Sequence, residues 1–242
     1  MSRNKRPESL YLHVPFCRSV CAYCDFTHVV YRSETADRWL DALCEEFRMR
    51  QFNQALKTVY IGGGTPTCLD HRQLERLLGM LDPYISEVQE YTVEINPETL
   101  DEEKAEILKA HGVSRASIGF QSHDAELLRL MGRRHSAEDV SACMSLLRRH
   151  GIDNISLDLM YSLPGQTMES LQKAVRTALR FEPDHLSLYS LTIEENTVFG
   201  RKGYRPLDEE TEADMYEWIC GFLPEQGFAQ YEISNFAKAG RQ

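Results

Sequence analysis

The chain has 242 residues, of which 42% are hydrophobic and 26% are charged. This length suits one large domain or two small ones, and no run approaches the roughly 18 consecutive apolar residues of a membrane-spanning helix. The formal net charge of −10 argues against nucleic acid as the main partner. Because the first residues lack the apolar segment of a secretory signal, we expect a cytoplasmic protein that does not span a membrane.

Six short β-forming runs alternate with stretches of helical periodicity along the chain. In chain order the runs are SLYLHVPF, KTVYIGG, EYTVEIN, RASIGFQS, NISLDLMYS and HLSLYSLTI. This repetition predicts an α/β fold with a parallel sheet and right-handed crossovers. Because a closed barrel needs about eight units, two architectures stay open, a doubly wound open sheet and a partial barrel.

Local signals mark where the helices begin and end. Pairs with capping-box spacing predict three helix starts, at Asp70 and Gln73, Thr99 and Glu102, and Ser136 and Asp139. Glycines predict three helix ends, at Gly112, Gly151 and Gly227. The last helix is followed by AQYEISNFAKAGRQ, which contains one further β-like run.

Unusual residues follow several of the predicted strands. In chain order they are Cys17 after the first strand, GGGTP (residues 62–66) after the second, Glu94 and Asn96 at the end of the third, Gln121 at the end of the fourth and Asp158 late in the fifth. Both candidate architectures bind ligands at the carboxyl ends of their strands. One ligand pocket at the strand ends would gather all of these residues.

The cysteines point to a metal rather than to disulfides. There are seven, an odd number clustered towards one end, which is typical of metal binding in a reducing compartment. Cys17, Cys21 and Cys24 lie within eight residues, and His28 would complete a Cys₃His zinc site that stabilises a binding module. Alternatively, the three thiolates would hold a [4Fe–4S] cluster and leave one iron open to a small molecule.

The spacing Cys17-x3-Cys21-x2-Cys24, with Tyr23 before the last cysteine, resembles the signature of radical S-adenosylmethionine (SAM) enzymes. The strings LYLHVPFCRSVCAYCDF, GGGTPT, EINPE, GFQS and DLMYSLPGQT, in this order, are similar to the coproporphyrinogen III dehydrogenase-like branch of that superfamily, and most of all to its HemW-like heme chaperones. The resemblance extends from about residue 10 to the last residue.

The resemblance implies a radical SAM (βα)6 partial barrel, TIM-like, with a short C-terminal β extension. Residues 1–8 would form an N-terminal tail, residues 9–228 the core domain, and residues 229–242 the start of a C-terminal region that is truncated relative to the family. Of the two architectures left open by the strand pattern, it favours the partial barrel.

The cofactors that the resemblance implies are a [4Fe–4S] cluster and one or two molecules of SAM, with heme as a further ligand. Cys17, Cys21 and Cys24 would bind three irons, and the fourth iron would bind SAM. By the same resemblance the SAM-binding residues are Tyr11, Tyr23, Gly63, Gly64, Thr65 and Glu94, and a second SAM site is lined by Gln121, Arg133 and Asp158.

Two departures from the family pattern bear on function. Where the dehydrogenase carries another cysteine, this chain has Asp25 and Phe26, which favours the chaperone group. The chain stops at Gln242, before the HNxxYW-type motif and the C-terminal domain that the chaperones use for heme handling. The sequence therefore carries the cluster and SAM machinery more fully than the machinery for heme.

We therefore expect a HemW-like heme chaperone capable of reductive SAM cleavage. Its partners would be a small reduced electron carrier of the flavodoxin or ferredoxin type and heme-accepting proteins. The alternatives within the superfamily are an oxygen-independent coproporphyrinogen III dehydrogenase and a related porphyrin methylase or ring-opening enzyme. From another class, the alternative is the zinc-stabilised α/β binding module.

Overall fold

The chain forms two compact units in a computed structural model, which describes residues 8–50 and 55–242. The first unit comprises the described residues of Met1–Arg18 and Thr27–Ala116, together with Leu146–Asp153. The second unit comprises Ser19–Phe26, Ser117–Ser145 and Asn154–Gln242.

Strands and helices alternate as the sequence predicts. The strands in the described residues are β1 (Ser9–Val14), β2 (Phe16–Cys17), β3 (Val29–Val30), β4 (Thr58–Gly63), β5 (Glu90–Ile95), β6 (Arg115–Gln121), β7 (Asn154–Tyr161), β8 (His185–Ser190), β9 (Ala229–Glu232) and β10 (Asn235–Ala237). The α-helices there are α1 (Ser33–Arg50), α2 (His71–Gly79), α3 (Glu102–Ala110), α4 (Ala125–Leu130), α5 (Ala137–Arg149), α6 (Met168–Arg180), α7 (Val198–Arg201) and α8 (Glu209–Glu225). The six predicted strands are confirmed as β1, β4, β5, β6, β7 and β8. No helix in the described ranges is both long and apolar enough to cross a membrane.

The first unit contains a parallel sheet. β1 pairs with β4 from Ser9 opposite Thr58 to Val14 opposite Gly63, and β4 pairs with β5 in the same direction. Leu12 and Val14 are buried because alternate side chains of β1 point to one face of the strand. The parallel register brings the carboxyl ends of these three strands to one edge of the sheet.

Side-chain caps start the helices of the first unit. The Asp70 carboxylate accepts from the Gln73 N–H at 2.8 Å, and the Gln73 amide oxygen accepts from the Asp70 N–H at 3.2 Å, so this predicted capping box is confirmed. The start predicted at Thr99 is wrong, because Asp101 caps α3 by accepting from the Lys104 N–H at 3.0 Å. The Thr99 hydroxyl instead donates to a main-chain carbonyl three residues earlier, 2.8 Å away.

The other predicted helix boundaries are confirmed. The Ser136 N–H donates to the Asp139 carboxylate at 2.8 Å, and the Asp139 N–H donates to the Ser136 hydroxyl at 3.2 Å. Gly112, Gly151 and Gly227 have φ values of +79°, +72° and +85°. These left-handed conformations end a helix at little cost where the residue has no Cβ.

The second unit also has a parallel pair of strands, to which an antiparallel hairpin is added. β7 and β8 run from Ser156 opposite His185 to Tyr161 opposite Ser190. The β-like run predicted near the end of the chain forms two strands, β9 and β10, and β10 pairs antiparallel with β8. Because the Tyr231 hydroxyl lies 2.8 Å from His185 Nε2, a side-chain hydrogen bond also ties β9 to β8.

Candidate functional site

Two of the three clustered cysteines lie in the second unit, on residues 19–26, which we call the thiol loop. The Cys24 N–H donates to the Cys21 carbonyl at 3.2 Å and so closes a turn. Both thiols are half-buried, and neither belongs to a disulfide. Burial raises the pKa of the Cys24 thiol, an effect that a main-chain hydrogen bond from Phe26 opposes. Metal binding at this thiol would therefore release a proton.

Main-chain hydrogen bonds anchor the middle of the thiol loop. The Ala22 N–H donates to the Met131 carbonyl at 2.8 Å, and the Ala22 carbonyl accepts from the Phe199 N–H at 2.9 Å. These three residues belong to one apolar cluster, against which Tyr23 packs. Burial raises the pKa of the Tyr23 phenol, and the charge of Arg133 opposes this shift. The loop is thus fixed by its backbone while its thiols stay partly accessible.

The third clustered cysteine, Cys17, ends β2 in the first unit. Its carbonyl accepts from the Tyr31 N–H at 2.8 Å, and its Sγ accepts from the Thr65 hydroxyl at 3.7 Å. The Thr65 N–H donates to the Phe16 carbonyl at 2.7 Å. The structure therefore brings the GGGTP turn, predicted to bind SAM, next to a predicted iron ligand.

A carboxylate organises the GGGTP turn. Glu94 accepts from the Gly63 N–H at 3.0 Å and from the Tyr60 hydroxyl at 2.7 Å. A Cβ on Gly62 would lie 2.6 Å from Glu94 Cδ, and Gly63 has a φ of +105°. Glycine is therefore needed here for both space and backbone conformation. The sequence did not single out Tyr60, although its position on the second predicted strand, two residues before the GGGTP turn, is the signal that would have found it.

Gly64 allows the turn to pack directly on the backbone that precedes Cys17. The Gly64 N–H donates to the Val14 carbonyl at 2.8 Å. A Cβ at this position would lie 2.5 Å from the Phe16 carbonyl oxygen and 2.8 Å from the Val14 carbonyl oxygen. Main-chain atoms therefore occupy the space that a side chain at Gly64 would need.

Tyr11 lies at the exposed side of this region. Its side chain is 58% exposed, its hydroxyl lies 3.0 Å from His13 Nδ1, and its ring centroid lies 6.0 Å from that of Tyr60. Partial burial, followed by the negative charge of Glu94, raises the pKa of the Tyr11 phenol. Tyr11 therefore remains a neutral hydrogen-bonding group at neutral pH.

A buried lysine that the sequence did not single out holds two strand-end loops together. The Lys104 side chain is buried, and its Nζ donates to the Thr67 carbonyl at 2.7 Å and to the Thr99 carbonyl at 3.0 Å. The hydroxyls of the same two threonines lie 2.6 Å apart. The available signal is that Lys104 shares the buried face of α3 with Ala105 and Leu108, where a lysine is unusual.

Gln121 and Arg133, predicted for a second SAM site, lie in the second unit. Gln121 ends β6 with a φ of +60°, which is uncommon for a residue with a side chain. Arg133 Nη2 donates to the Gly119 carbonyl at 3.0 Å, and Nη1 lies 3.8 Å from Cys21 Sγ. A Cβ on Gly119 would collide with the Arg133 guanidinium and lie 2.9 Å from Gln121 Nε2. The missing side chain at Gly119 therefore makes room for both.

Asp158, the remaining residue predicted for that site, lies on β7 in the same unit. The Ser117 hydroxyl lies 3.2 Å and 3.1 Å from its two carboxylate oxygens. Because Ser117 belongs to β6 and Asp158 to β7, this contact links residues of two strands. A carboxylate and a guanidinium in one unit would suit a zwitterionic ligand.

The four cysteines other than Cys17, Cys21 and Cys24 differ in their burial. Cys68 and Cys143 are buried, and burial raises the pKa of each thiol to about 12. They remain protonated at neutral pH and are poor metal ligands. Cys44 and Cys220 are half-buried.

The chemistry of the donor set fits a soft metal centre. Cys17, Cys21 and Cys24 are free thiols on a short segment, and thiolates suit iron–sulfur clusters and zinc. Among the described residues, no three or more His, Cys, Asp and Glu side chains converge closely enough to hold a metal ion. The fit therefore rests on the donor atoms and on their spacing in the chain.

Comparisons with known proteins agree with the resemblance seen in the sequence. Residues 11–178 match the family model described as the Radical SAM superfamily. The chain is 43% identical to the heme chaperone HemW of Bacillus subtilis (strain 168), over 97% of this chain and 65% of that protein. It is 35% identical to the heme chaperone HemW of Escherichia coli (strain K12), over 98% of this chain and 64% of that protein. The chain thus spans slightly less than two thirds of the length of these curated relatives.

Solved structures show the same architecture. Coproporphyrinogen III oxidase (HemN) from Escherichia coli, a radical SAM enzyme, matches with a TM-score of 0.89 at 28% identity, over 97% of this chain and 56% of that chain. This likeness confirms the predicted α/β partial barrel and decides against the open, doubly wound sheet. SuiB of Streptococcus suis, bound to SAM, shares the fold with a TM-score of 0.60 at 17% identity, over 91% of this chain and 45% of that chain.

Proposed function

Because the chain belongs to the radical SAM superfamily, we propose that it binds a [4Fe–4S] cluster and SAM and acts as a HemW-like heme chaperone. The observation that carries the cofactor part is the contact of the GGGTP turn with Cys17 on one side and with Glu94 on the other. The chaperone part is supported by the 43% identity to the Bacillus subtilis HemW over 97% of this chain.

When bound, the cluster supplies the single electron that cleaves SAM reductively. Cys17, Cys21 and Cys24 hold three irons as thiolates, so each thiol loses its proton on binding. Glu94, already fixed by two hydrogen bonds, offers negative charge to the amino group of SAM. The residues of this site thus position the ligand before any reaction takes place.

The turn and two tyrosines complete this first SAM site. Gly63, Gly64 and Thr65 present their main chain to the methionyl part of SAM, and the two glycines let the turn pack closely enough on its neighbours to adopt this conformation. Tyr11 covers the site from the exposed side. Tyr23, packed on the apolar cluster beside the thiols, limits the access of water to them.

A second SAM molecule is part of the same proposal. Arg133 offers a positive charge for a carboxylate, Asp158 offers a negative charge for an ammonium group, and Gln121 offers an amide. Support comes from Gly119, which leaves room for both the guanidinium and the amide.

The partners and the location of the protein also belong to the proposal. A small reduced carrier of the flavodoxin or ferredoxin type supplies electrons, and heme-accepting proteins receive heme, in the cytoplasm. Residues 9–228 form the core domain, and residues 229–242 begin the C-terminal region.

The second candidate function is the oxidation of coproporphyrinogen III, favoured by the structural likeness to HemN. Two observations weigh against it. The identity to HemN, 28%, is lower than the 43% identity to a HemW. Phe26 also stands where the dehydrogenase pattern has another cysteine. The zinc-stabilised module remains as a third reading of the thiols.

Anaerobic reconstitution with iron and sulfide tests the cluster. We expect about four irons per chain and a broad absorbance band typical of a cubane cluster. A variant with Cys17, Cys21 and Cys24 changed to Ala should bind almost no iron, whereas a control with Cys44 and Cys220 changed to Ala should bind it normally. One zinc per chain without iron, lost on His28→Ala, would instead establish the zinc site.

Incubation with tetrapyrroles separates the two candidate functions. The reconstituted protein is mixed anaerobically with SAM, a reductant and either heme or coproporphyrinogen III. We expect bound, chemically unaltered heme and no decarboxylated product from coproporphyrinogen III. Decarboxylated product would favour the dehydrogenase and contradict the chaperone proposal.

A further inference from the structure

Two basic segments of the second unit flank the thiol loop. The first, residues 127–135, we call the α4 flank, and the second, residues 198–205, we call the α7 flank. Their exposed cations are Arg129 and Arg134 on the α4 flank and Arg201, Lys202 and Arg205 on the α7 flank. Neither flank contains an Asp or a Glu. Both segments therefore carry positive charge only, in a chain whose net charge is −10.

Each flank is attached to the thiol loop through its backbone. The Met131 carbonyl of the α4 flank accepts from the Ala22 N–H at 2.8 Å, and the Phe199 N–H of the α7 flank donates to the Ala22 carbonyl at 2.9 Å. A Cβ on Gly132 would lie 3.4 Å from the Val20 carbonyl and 3.7 Å from Cys21 Cα, so the α4 flank also touches the loop beside a thiol. The backbone that carries the cations is thus fixed against the loop.

These cations are not neutralised by partners. Many arginines of this protein form ion pairs, as Arg72 does with Asp37 at 2.7 Å. Within the part of the chain that the structure describes, none of the five cations of the two flanks has an ion-pair partner. Acidic residues resume just outside the flanks, at Glu126 and Asp208, so the positive charge is confined to the segments that adjoin the loop.

The loop itself supplies an apolar centre. Val20 and Phe26 are 46% and 66% exposed, and Asp25 is the one acid of the loop. Exposed apolar side chains flanked by basic segments suit a small, transient interface for an acidic protein. Surface cations of this kind accelerate association with an anionic partner and make it sensitive to salt.

We propose that the thiol loop and its two flanks form the docking surface of an acidic one-electron carrier, which rests on the proposed function because that function requires an electron at the cysteines. The carrier is oxidised by one electron and the cluster is reduced by one, and no covalent bond forms or breaks between the two proteins. Docking here places the carrier against the exposed side of the segment that holds Cys21 and Cys24, which shortens the path of the electron.

Binding is tested on the chain without a cluster, using a flavodoxin that carries a fluorescent label. The variants Arg129→Glu with Arg134→Glu, and Arg201→Glu with Lys202→Glu, each reverse the charge of one flank. We expect either pair to raise the dissociation constant about tenfold or more at low ionic strength and to weaken its dependence on salt. Unchanged binding in both flank variants would overturn the proposal.

A matched control separates this surface from a general effect of charge. Arg38→Glu with Arg180→Glu reverses two exposed cations on α1 and α6 and alters the net charge by the same amount. We expect it to change the dissociation constant less than about twofold when the variants are compared at about 0.15 M ionic strength, where charges outside the docking surface are largely screened. An equal loss in this control would show non-specific attraction and would also overturn the proposal.

Reduction of the reconstituted cluster provides a second readout. Reduced flavodoxin should reduce the cluster about tenfold more slowly in the flank variants, whereas the small cationic reductant methyl viologen should act on all variants at similar rates.

If no cluster assembles, the proposed function fails and the binding assay still tests the surface. If the cluster assembles but flavodoxin reduces every variant equally fast, the docking surface fails and the proposed function stands. If added heme displaces labelled flavodoxin from the chain in the binding assay, the cations bind heme propionates instead. That result would contradict the proposal.

Discussion

The candidate SAM-binding turn of the first unit is held through its main-chain atoms, whereas the candidate ligand residues of the second unit are held through their side chains. In the first unit, Glu94 accepts from the Gly63 N–H, and the Gly64 N–H donates to a strand carbonyl. In the second unit, Arg133 reaches Gly119, and the Ser117 hydroxyl contacts the carboxylate of Asp158. The first arrangement is rigid because main-chain atoms cannot move independently, whereas the second depends on side chains that can rotate.

This difference suggests that the two proposed ligand sites have different roles. A fixed backbone suits a cofactor whose position relative to a reacting centre must be constant, because small displacements cost much of the rate. Adjustable side chains suit a ligand that enters and leaves.

Replacing one glycine of each unit by alanine should lower the free energy of unfolding by different amounts. Gly64→Ala should lower the free energy of unfolding by about 3 kcal/mol, because its Cβ would lie 2.5 Å from the Phe16 carbonyl oxygen. Gly119→Ala should cost no more than about 1 kcal/mol, because the groups it meets are the ends of the flexible Arg133 and Gln121 side chains. Urea unfolding of both variants measures this, and equal losses would contradict the contrast.

Acid should destabilise the second unit through His135. Burial, reinforced by the charge of Arg133, lowers the pKa of His135 from 6.5 to about 4, and its Nε2 lies 3.0 Å from the Phe120 carbonyl. Between these pH values the unfolded chain binds a proton that the folded chain excludes, so stability present above pH 6.5 is lost as the pH falls to about 4. The loss amounts to about 3 kcal/mol. His135→Leu should flatten this part of the dependence in urea unfolding at pH 4.5 to 7.5, and an unchanged slope would refute the assignment.

His111, in the first unit, should act in the opposite direction. Burial favours its neutral form, but the carboxylates of Asp82 at 2.8 Å and Glu75 at 3.1 Å outweigh burial and raise the pKa of His111 above 6.5. Its contribution to stability is therefore complete below pH 6.5 and is lost as the pH rises through the raised value. His111→Gln should lose stability relative to the parent chain at pH 6 and little at pH 9. A difference that grows with pH would show the sign to be wrong.

Removing the buried amine of Lys104 tests the link between the two strand-end loops of the first unit. Lys104→Met should lower the free energy of unfolding by about 2 kcal/mol, because the carbonyls of Thr67 and Thr99 lose their buried donor. As a control, Lys173→Met at an exposed position of α6 should change it by less than about 0.5 kcal/mol. A loss as small as the control's would mean that water replaces the amine.

Removing single hydroxyls that contact the site carboxylates should give the smallest effects. Tyr60→Phe removes a donor to Glu94, and Ser117→Ala removes one to Asp158. A hydrogen bond to a charged group contributes about 1.5 kcal/mol, so Tyr60→Phe should weaken SAM binding roughly tenfold in calorimetric titration of the reconstituted protein. Ser117→Ala should weaken a second SAM equivalent instead and leave the first unaffected. If both variants weaken the same equivalent, the two carboxylates serve one site.

Features that depend on neighbours in the chain were predictable. The six strands follow from short β-forming runs, and the cap of α2 follows from Asp70 and Gln73 because its partners are three residues apart. The cap of α3 was predicted wrongly, since Asp101 lies closer to the helix than Thr99 and the hydroxyl of Thr99 is engaged elsewhere. Where two local candidates compete, a tertiary contact decides between them.

Contacts between distant parts of the chain were not predictable in the same way. Lys104 donates to Thr67, which is 37 residues away, and the thiol loop is bonded to Met131 and Phe199. No periodicity or spacing records such pairs, because they exist only after the strands have set their register. The hairpin of β9 and β10, expected as one strand, likewise depends on the edge that β8 offers.

The family and the three clustered thiols follow from local spacing in the sequence, namely three cysteines in eight residues and a run of glycines. The alternation of strands and helices leaves both an open sheet and a partial barrel possible, and the likeness to HemN decides for the barrel. Tertiary structure alone decided what surrounds those thiols. It bonded the GGGTP turn to Cys17 and Glu94, and it brought two basic segments, far apart in the chain, to the thiol loop. The physical reason is that donor chemistry is a property of residues, whereas position and charge environment arise from the packing of the folded chain.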